Sequence, residues 1–295
     1  MEARPPARGR PLFGVFLAAL YVAGLGAFAW ALVHGASYYL TPLEGRARHP
    51  HYWQLKPGGS WGLLYGMAGL AMMSVMHLYS LRKRVKLLRR LGPLRRWLDL
   101  HIFLGIMGPL FVLLHSSFKV GGLVSISFWS MVAVALSGVF GRYLYLQIPR
   151  TRAGEELSLA EVEKADRDLS ARLRAEFGVD DAFLERLEAA SAPPAGAGLL
   201  RLLGALVRND LGGRRHRLAA LARSHPGLPP RLSHELGTLV RQKAQLRRRI
   251  RLWDALHRLF HHWHVVHRPF AVVMYVFVLL HVVVASATGY GLGWP

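Results

Sequence analysis

No cysteine is present among the 295 residues. Disulfides, thiolate metal sites, iron–sulfur ligation and covalent c-type haem attachment are therefore excluded. Acidic residues are scarce too: 17 Asp and Glu stand against 38 Lys and Arg, for a formal charge of +21. Nucleic-acid binders share such a balance, but no zinc-finger, RNP or basic-zipper motif accompanies it, so no nucleic-acid partner is expected. No glycine-rich nucleotide fingerprint follows a strand pattern, no P-loop occurs, and no internal repeat is visible.

What the chain does have is apolar bulk. It is 52% hydrophobic with a positive mean hydropathy. A soluble domain rarely combines that with so much charge, whereas a membrane protein with basic loops does so naturally. Five stretches match the ~20 residues of helix that a bilayer core requires: Pro11–Gly35, Trp61–Ser80, Leu98–Phe118, Ile126–Leu146 and Pro269–Tyr290. The expected fold class is an all-α integral membrane helix bundle. The first stretch follows Arg4, Arg8 and Arg10 and is long for a signal peptide, so it reads as an uncleaved signal anchor.

Loop charge sets the expected orientation. Leu81–Trp97 holds eight Lys and Arg and no acid, which places it in the cytoplasm, where it is also suited to anionic lipid. His34–Gly59 and Lys119–Ser125 carry little charge and are expected outside. The N-terminus then lies inside and the C-terminus outside, as for a multi-pass protein of a bacterial inner membrane. Residues 1–146 carry spans one to four, 147–266 form a helical cytoplasmic insertion, and 267–295 form span five and the outer terminus. Within the insertion, Glu155–Ala190 reads as one amphipathic helix, Ser191–Gly198 as a linker and Leu199–Arg223 as a second helix. Arg231–Val266 reads as a third helix leading into span five.

Histidine is abundant, with 15 copies, and supplies the candidate metal ligands. Ionisable groups inside spans are costly and usually functional. Span three carries His101 and His115; span five carries His267 at its entry and His281 in its interior. Each pair is separated by 14 residues, nearly four helical turns, so its members share one face about 21 Å apart along the axis. Both helices are expected to run from inside to outside. They would then bring His101 to His267 near one surface and His115 to His281 near the other. Each pair of imidazoles suits an iron porphyrin with two axial nitrogens.

A lone histidine in a span is commonly a hydrogen-bonded packing residue. Two equal spacings on helices of one direction point instead to ligation. Gly105 and Gly108 lie on the histidine face of span three, where a flat macrocycle or a neighbouring helix can approach closely. His264 rivals His267, because Pro269 is where span five is expected to begin or bend. His257, His261, His262 and His264 lie near helical spacing and read as an interfacial polar face before a metal site. Arg142 and Arg150 leave span four beside the inner site and could neutralise haem carboxylates or simply anchor the span. His77 and His34 have no partner at matched depth. No catalytic residue is assigned.

The paired helices resemble the transmembrane dihaem b cytochromes, and more closely a set of bacterial cytochrome b/ferric-reductase-like membrane proteins. The resemblance rests on the stretch from His101 through Ser137-Gly138-Val139-Phe140-Gly141-Arg142-Tyr143-Leu144-Tyr145 to Ile148-Pro149-Arg150. Trp263-His264-Val265-Val266-His267-Arg268-Pro269 is its second part. These stretches cover less than half of the chain. The resemblance implies two haem b groups held by His101, His115, His267 and His281. It does not supply a donor or acceptor. The flavin and nicotinamide domain of ferric reductases is missing, their second histidine pair is often one residue closer together, and no Pro-Glu-Trp-Tyr quinol motif occurs.

The leading expectation is an oxidoreductase subunit that transfers electrons across the bilayer to or from a quinone or a partner redox protein. A terminal reductase of ferric iron or another small acceptor, and a non-redox transporter or scaffold, are the alternatives.

Overall fold

The structure is a computed structural model that describes residues 9–122, 125–149, 157–191, 204 and 230–288, and among these there is no strand. Helices are numbered here in chain order. The chain divides into two compact units, residues 1–143 with 262–295, and residues 144–261.

The first unit contains α1 (Gly9–His34), α2 (Ala36–Leu40), α3 (Tyr52–Leu55), α4 (Ser60–Val75), α5 (Leu78–Arg84) and α6 (Leu94–His115). It also holds most of α7 (Ser125–Gln147) and of α11 (Trp253–Ala287). Five stretches of helix are long and apolar enough to cross a membrane: Leu12–His34, Tyr52–Arg84, Leu94–His115, Ser125–Gln147 and Trp253–Ala287. Their outward residues are apolar, as lipid-facing helices require: Val22, Leu136, Val272 and Leu279 are all more than 60% exposed.

Glycine brings α4 and α6 together. A Cβ on Gly69 would come within 2.9 Å of the Gly108 carbonyl, and one on Gly108 within 3.2 Å of the Gly69 carbonyl. Only hydrogen fits there, so the backbones cross closely. Helix α1 joins α6 through aromatic edges, Tyr21 to Phe103 at 5.0 Å and Phe28 to Phe111 at 6.5 Å. Helix α11 is tied in differently. Its Met274 is buried with Met73 of α4 and Met131 of α7, soft side chains that fill an irregular space. The Tyr275 hydroxyl donates to the Met73 carbonyl over 2.6 Å.

The helix that carries span five does not begin at Pro269. Helix α11 runs from Trp253 through Pro269 to Ala287, and α6 likewise carries Pro109 internally. A proline removes one backbone donor and crowds the preceding turn, a cost that spanning helices tolerate when neighbours support the turn. The helix expected over Arg231–Val266 instead breaks at Leu252, between α10 (Pro230–Arg251) and α11.

The second unit packs α8 (Leu159–Phe177), α9 (Asp181–Ser191) and α10. The single helix expected over Glu155–Ala190 is two. Gly178 adopts the left-handed conformation at φ 62° and closes α8, as glycine does at helix C-termini. The Asp180 carboxylate then accepts from the Phe183 N–H at 2.8 Å and starts α9. Ser158 and Glu161 form a reciprocal capping box at the start of α8, and these bonds from Ser158 hold the Glu161 carboxyl below its usual range. The core comprises Leu173, Phe177, Leu187, Leu236 and Val240 with their neighbours. Lys243, wholly buried, pairs with Asp166 at 3.0 Å and donates to Ser170 at 2.6 Å. The segment expected as Leu199–Arg223, the linker before it, and Arg150 lie outside the described residues, apart from Gly204 and Ser191, which ends α9.

Candidate functional site

The four histidines expected as ligands all lie in the first unit. His115 of α6 and His281 of α11 face each other with ring centroids 6.2 Å apart and planes at 67°. One 14-residue step back along both helices stand His101 and His267. Met274, seven residues from both His267 and His281, is buried.

Hydrogen bonds orient three of these rings. Nδ1 of His101 lies 3.1 Å from the Met76 carbonyl, and Nδ1 of His115 lies 2.9 Å from the Gly62 carbonyl. A carbonyl only accepts, so each Nδ1 carries its proton. Nδ1 of His267 lies 2.6 Å from the Ser137 hydroxyl. That hydroxyl donates to the Val134 carbonyl at 2.9 Å, so its oxygen accepts from His267. In all three rings the network assigns the proton to Nδ1 and leaves Nε2 with a bare lone pair. This is the tautomer of a histidine whose second nitrogen is free to bind a metal.

The surroundings enforce these positions. Gly66 lies under His115: a Cβ there would stand 2.6 Å from its Nδ1. Trp263 packs on His267 at 4.9 Å and donates from its indole N–H to the Ser137 carbonyl at 2.7 Å. A Cβ on Gly141 would collide with that same indole. The two sequence stretches that carry the resemblance are thus packed on one another, α7 cradling the entry of span five. His264 also packs on Trp263, at 4.5 Å, and His257 bonds the Trp253 carbonyl at 2.8 Å.

The remaining expected residues are placed as follows. Gly108 faces α4 and meets Gly69 and Met73, and Gly105 lies near Met76. Of the two uses expected for these glycines, the structure displays close approach of a neighbouring helix. Arg142 pairs with the Asp99 carboxylate at 3.0 Å, a partner supplied by α6 two residues before His101. His77, for which packing or a haem-carboxylate contact was expected in place of a ligand partner, packs against Tyr275 at 4.6 Å. Among the described residues no group of three or more His, Asp or Glu gathers to hold a metal ion. The run from His257 to His264 therefore forms no such cluster.

Sequence reasoning missed Ser137, Asp99 and the anchoring carbonyls of Gly62 and Met76. The glycines at 62, 66 and 69 were a readable sign that α4 presses on another helix. No family model matches the chain, and no curated protein or solved structure matches it.

Proposed function

We propose that this chain is a transmembrane electron-transfer protein carrying two b haems, one between His115 and His281 and one between His101 and His267. The observation that carries this reading is the spacing of the His115–His281 pair. An axial nitrogen sits about 2 Å from its metal and the ring centre about 1 Å beyond, so two imidazoles sharing one metal have centroids ~6 Å apart. The observed separation is 6.2 Å. The Nδ1–H tautomers support the same reading, since they turn Nε2 towards a ligand.

Haem, when bound, supplies the one-electron chemistry, while the protein supplies ligands, orientation and burial. The Gly62, Met76 and Ser137 oxygens hold the imidazoles and raise their basicity as ligands. The apolar side chains around Met274 keep water from the space between the two levels. Two such centres, held by these two histidine pairs, would divide the insulating core into two shorter transfers. Arg142, paired with Asp99, places a guanidinium near His101, where it can also balance a haem carboxylate. The basic loop Leu81–Trp97 orients its end of the bundle to the cytoplasm and to anionic lipid. The donor and acceptor are a quinone or a partner redox protein on opposite faces.

The direct test is a pyridine haemochrome assay with haem quantification on the purified chain, followed by a redox-monitored visible spectrum. Two non-covalent, low-spin b haems per chain are expected. A preparation that never takes up haem sinks the proposal.

A further inference from the structure

A second polar constellation lies at the His115 end of the bundle, and the electron-transfer reading makes no use of it. The connection between α1 and α4 folds back over the end of α6. Arg46 lies at its centre, 6% exposed. Its guanidinium donates to the Thr41 carbonyl at 2.8 Å, to the Tyr39 carbonyl at 2.6 Å and to the Ser117 carbonyl. Among the described residues no carboxylate pairs with it. Burying a cation without a counter-charge is expensive.

Two phenols, Tyr38 and Tyr39, lie beside it, and a third, Tyr65, belongs to the same packed cluster. Tyr38, Tyr39 and Tyr65 are 0%, 8% and 4% exposed and belong to one packed cluster with Leu114. Tyr38 and Tyr39 meet edge to face at 5.5 Å, and the Arg46 guanidinium stands 5.3 Å from the Tyr38 ring centre. All three hydroxyls are buried and have no hydrogen-bond partner among the described residues. A buried hydroxyl without a partner is costly, so three in one cluster mark a place built for an acceptor. Burial, reinforced by the neighbouring Tyr65 and Tyr38, pushes the Tyr39 phenol above its ordinary range, so it remains a protonated donor.

We propose that Arg46 with the hydroxyls of Tyr38, Tyr39 and Tyr65 forms a receptor for an oxyanion, a carboxylate or phosphate group held by three phenolic donors beside a buried cation. Two sources offer that chemistry: the carboxylates of the haem proposed at His115, in which case the inference rests on that reading, or an oxyanion entering from that face of the membrane.

The test uses the full chain in detergent, comparing wild type with Tyr38→Phe, Tyr39→Phe, Tyr65→Phe and the triple variant, with haem content measured in each. Arg46 is left intact because it holds three backbone carbonyls. Unfolding temperature is followed against inorganic phosphate and against acetate, and midpoint potentials are recorded. If the oxyanion comes from outside, phosphate or acetate raises the unfolding temperature of wild type. Each phenylalanine then weakens that response by about tenfold or more, the worth of a hydrogen bond to a charged group. If it comes from haem, wild type ignores both probes, while the triple variant lowers one of the two potentials and leaves the other in place. Variants that gain stability, with unchanged potentials and no response to either probe lost, overturn the inference, since hydroxyls satisfied by internal water behave that way. A chain that binds no haem yet responds to phosphate removes the dihaem reading and leaves this receptor standing.

Discussion

The Ser137 hydroxyl lies 2.6 Å from Nδ1 of His267 and at the same time donates to the Val134 carbonyl. Its oxygen is therefore committed to accepting, and His267 is committed to one tautomer. Ser137→Ala removes that acceptor while keeping the helix. The expected result is about 10–100-fold weaker haem retention at the His101–His267 level, the usual cost of losing such a support, with the His115–His281 level unchanged. Ser137→Thr keeps the oxygen and should retain both haems. Haem titration of the three proteins decides it; equal retention by Ser137→Ala and wild type means the serine only packs.

Gly66 offers the complementary perturbation. A Cβ there would stand 2.6 Å from Nδ1 of His115 and 2.9 Å from its Cγ and Cε1, and that ring is pinned by the Gly62 carbonyl. Gly66→Ala should displace His115 and cost about 1–3 kcal/mol of stability, the usual range for overpacking. Haem content should fall from two to one, with the surviving spectral component the one that Ser137→Ala weakens. Retention of both components in a folded Gly66→Ala protein refutes the placement of His115 against α4.

Five helices long and apolar enough to span a membrane, and the matched histidine spacing, were legible because they rest on periodic and compositional signals: long apolar runs, and equal intervals on a 3.6-residue helix. Helix boundaries were less so. Pro269 read as a start, yet α11 passes through it, since packing and hydrogen bonding around a turn decide what a proline costs. Gly178 followed by Asp180 did encode the break between α8 and α9, and the apolar periodicity running across it masked the signal. The anchors of His101 and His115 were not legible at all. They are backbone carbonyls of Met76 and Gly62, and every residue has one. Ser137 was in view within a quoted stretch, but only the crossing of α7 and α11 shows what its oxygen faces.

Lys243 and Asp166 form a buried pair in the second unit, with side chains 0% and 3% exposed. Asp166 also pairs with Arg247 at 2.8 Å, so it is removal of the carboxylate that strands a buried charge, that of Lys243. Asp166→Leu should therefore destabilise this unit by about 3–5 kcal/mol, while replacing Lys243 by Met in the same chain should recover part of the loss. Urea denaturation followed by helical circular dichroism measures both. A single variant as stable as wild type contradicts the burial.

The orientation expectation is tested by reporter fusions at Arg90, Ala195 and Pro295. The eight basic residues of Leu81–Trp97 should hold the first site in the cytoplasm, and Ala195 with it, leaving Pro295 outside. An external signal at Arg90 reverses the bundle, so that the His115–His281 level becomes the cytoplasmic one.

The pairing of the four histidines gives the most discriminating prediction. His115 and His281 face each other at 6.2 Å, and their proposed haem lies about 21 Å along the helices from the other pair. His115→Ala and His281→Ala should therefore lose the same haem and keep the same survivor. His101→Ala and His267→Ala should share the complementary phenotype. His264 packs edge-on against Trp263, while His267 holds the bond to Ser137, so His264→Ala should retain both haems. Haem counts and low-temperature spectra of the five variants resolve the alternatives. If His264→Ala loses the haem that His267→Ala keeps, the ligand lies one turn earlier on α11. If His115→Ala and His281→Ala lose different components, the rings that meet in the structure do not share an iron, and the parallel ladder is wrong.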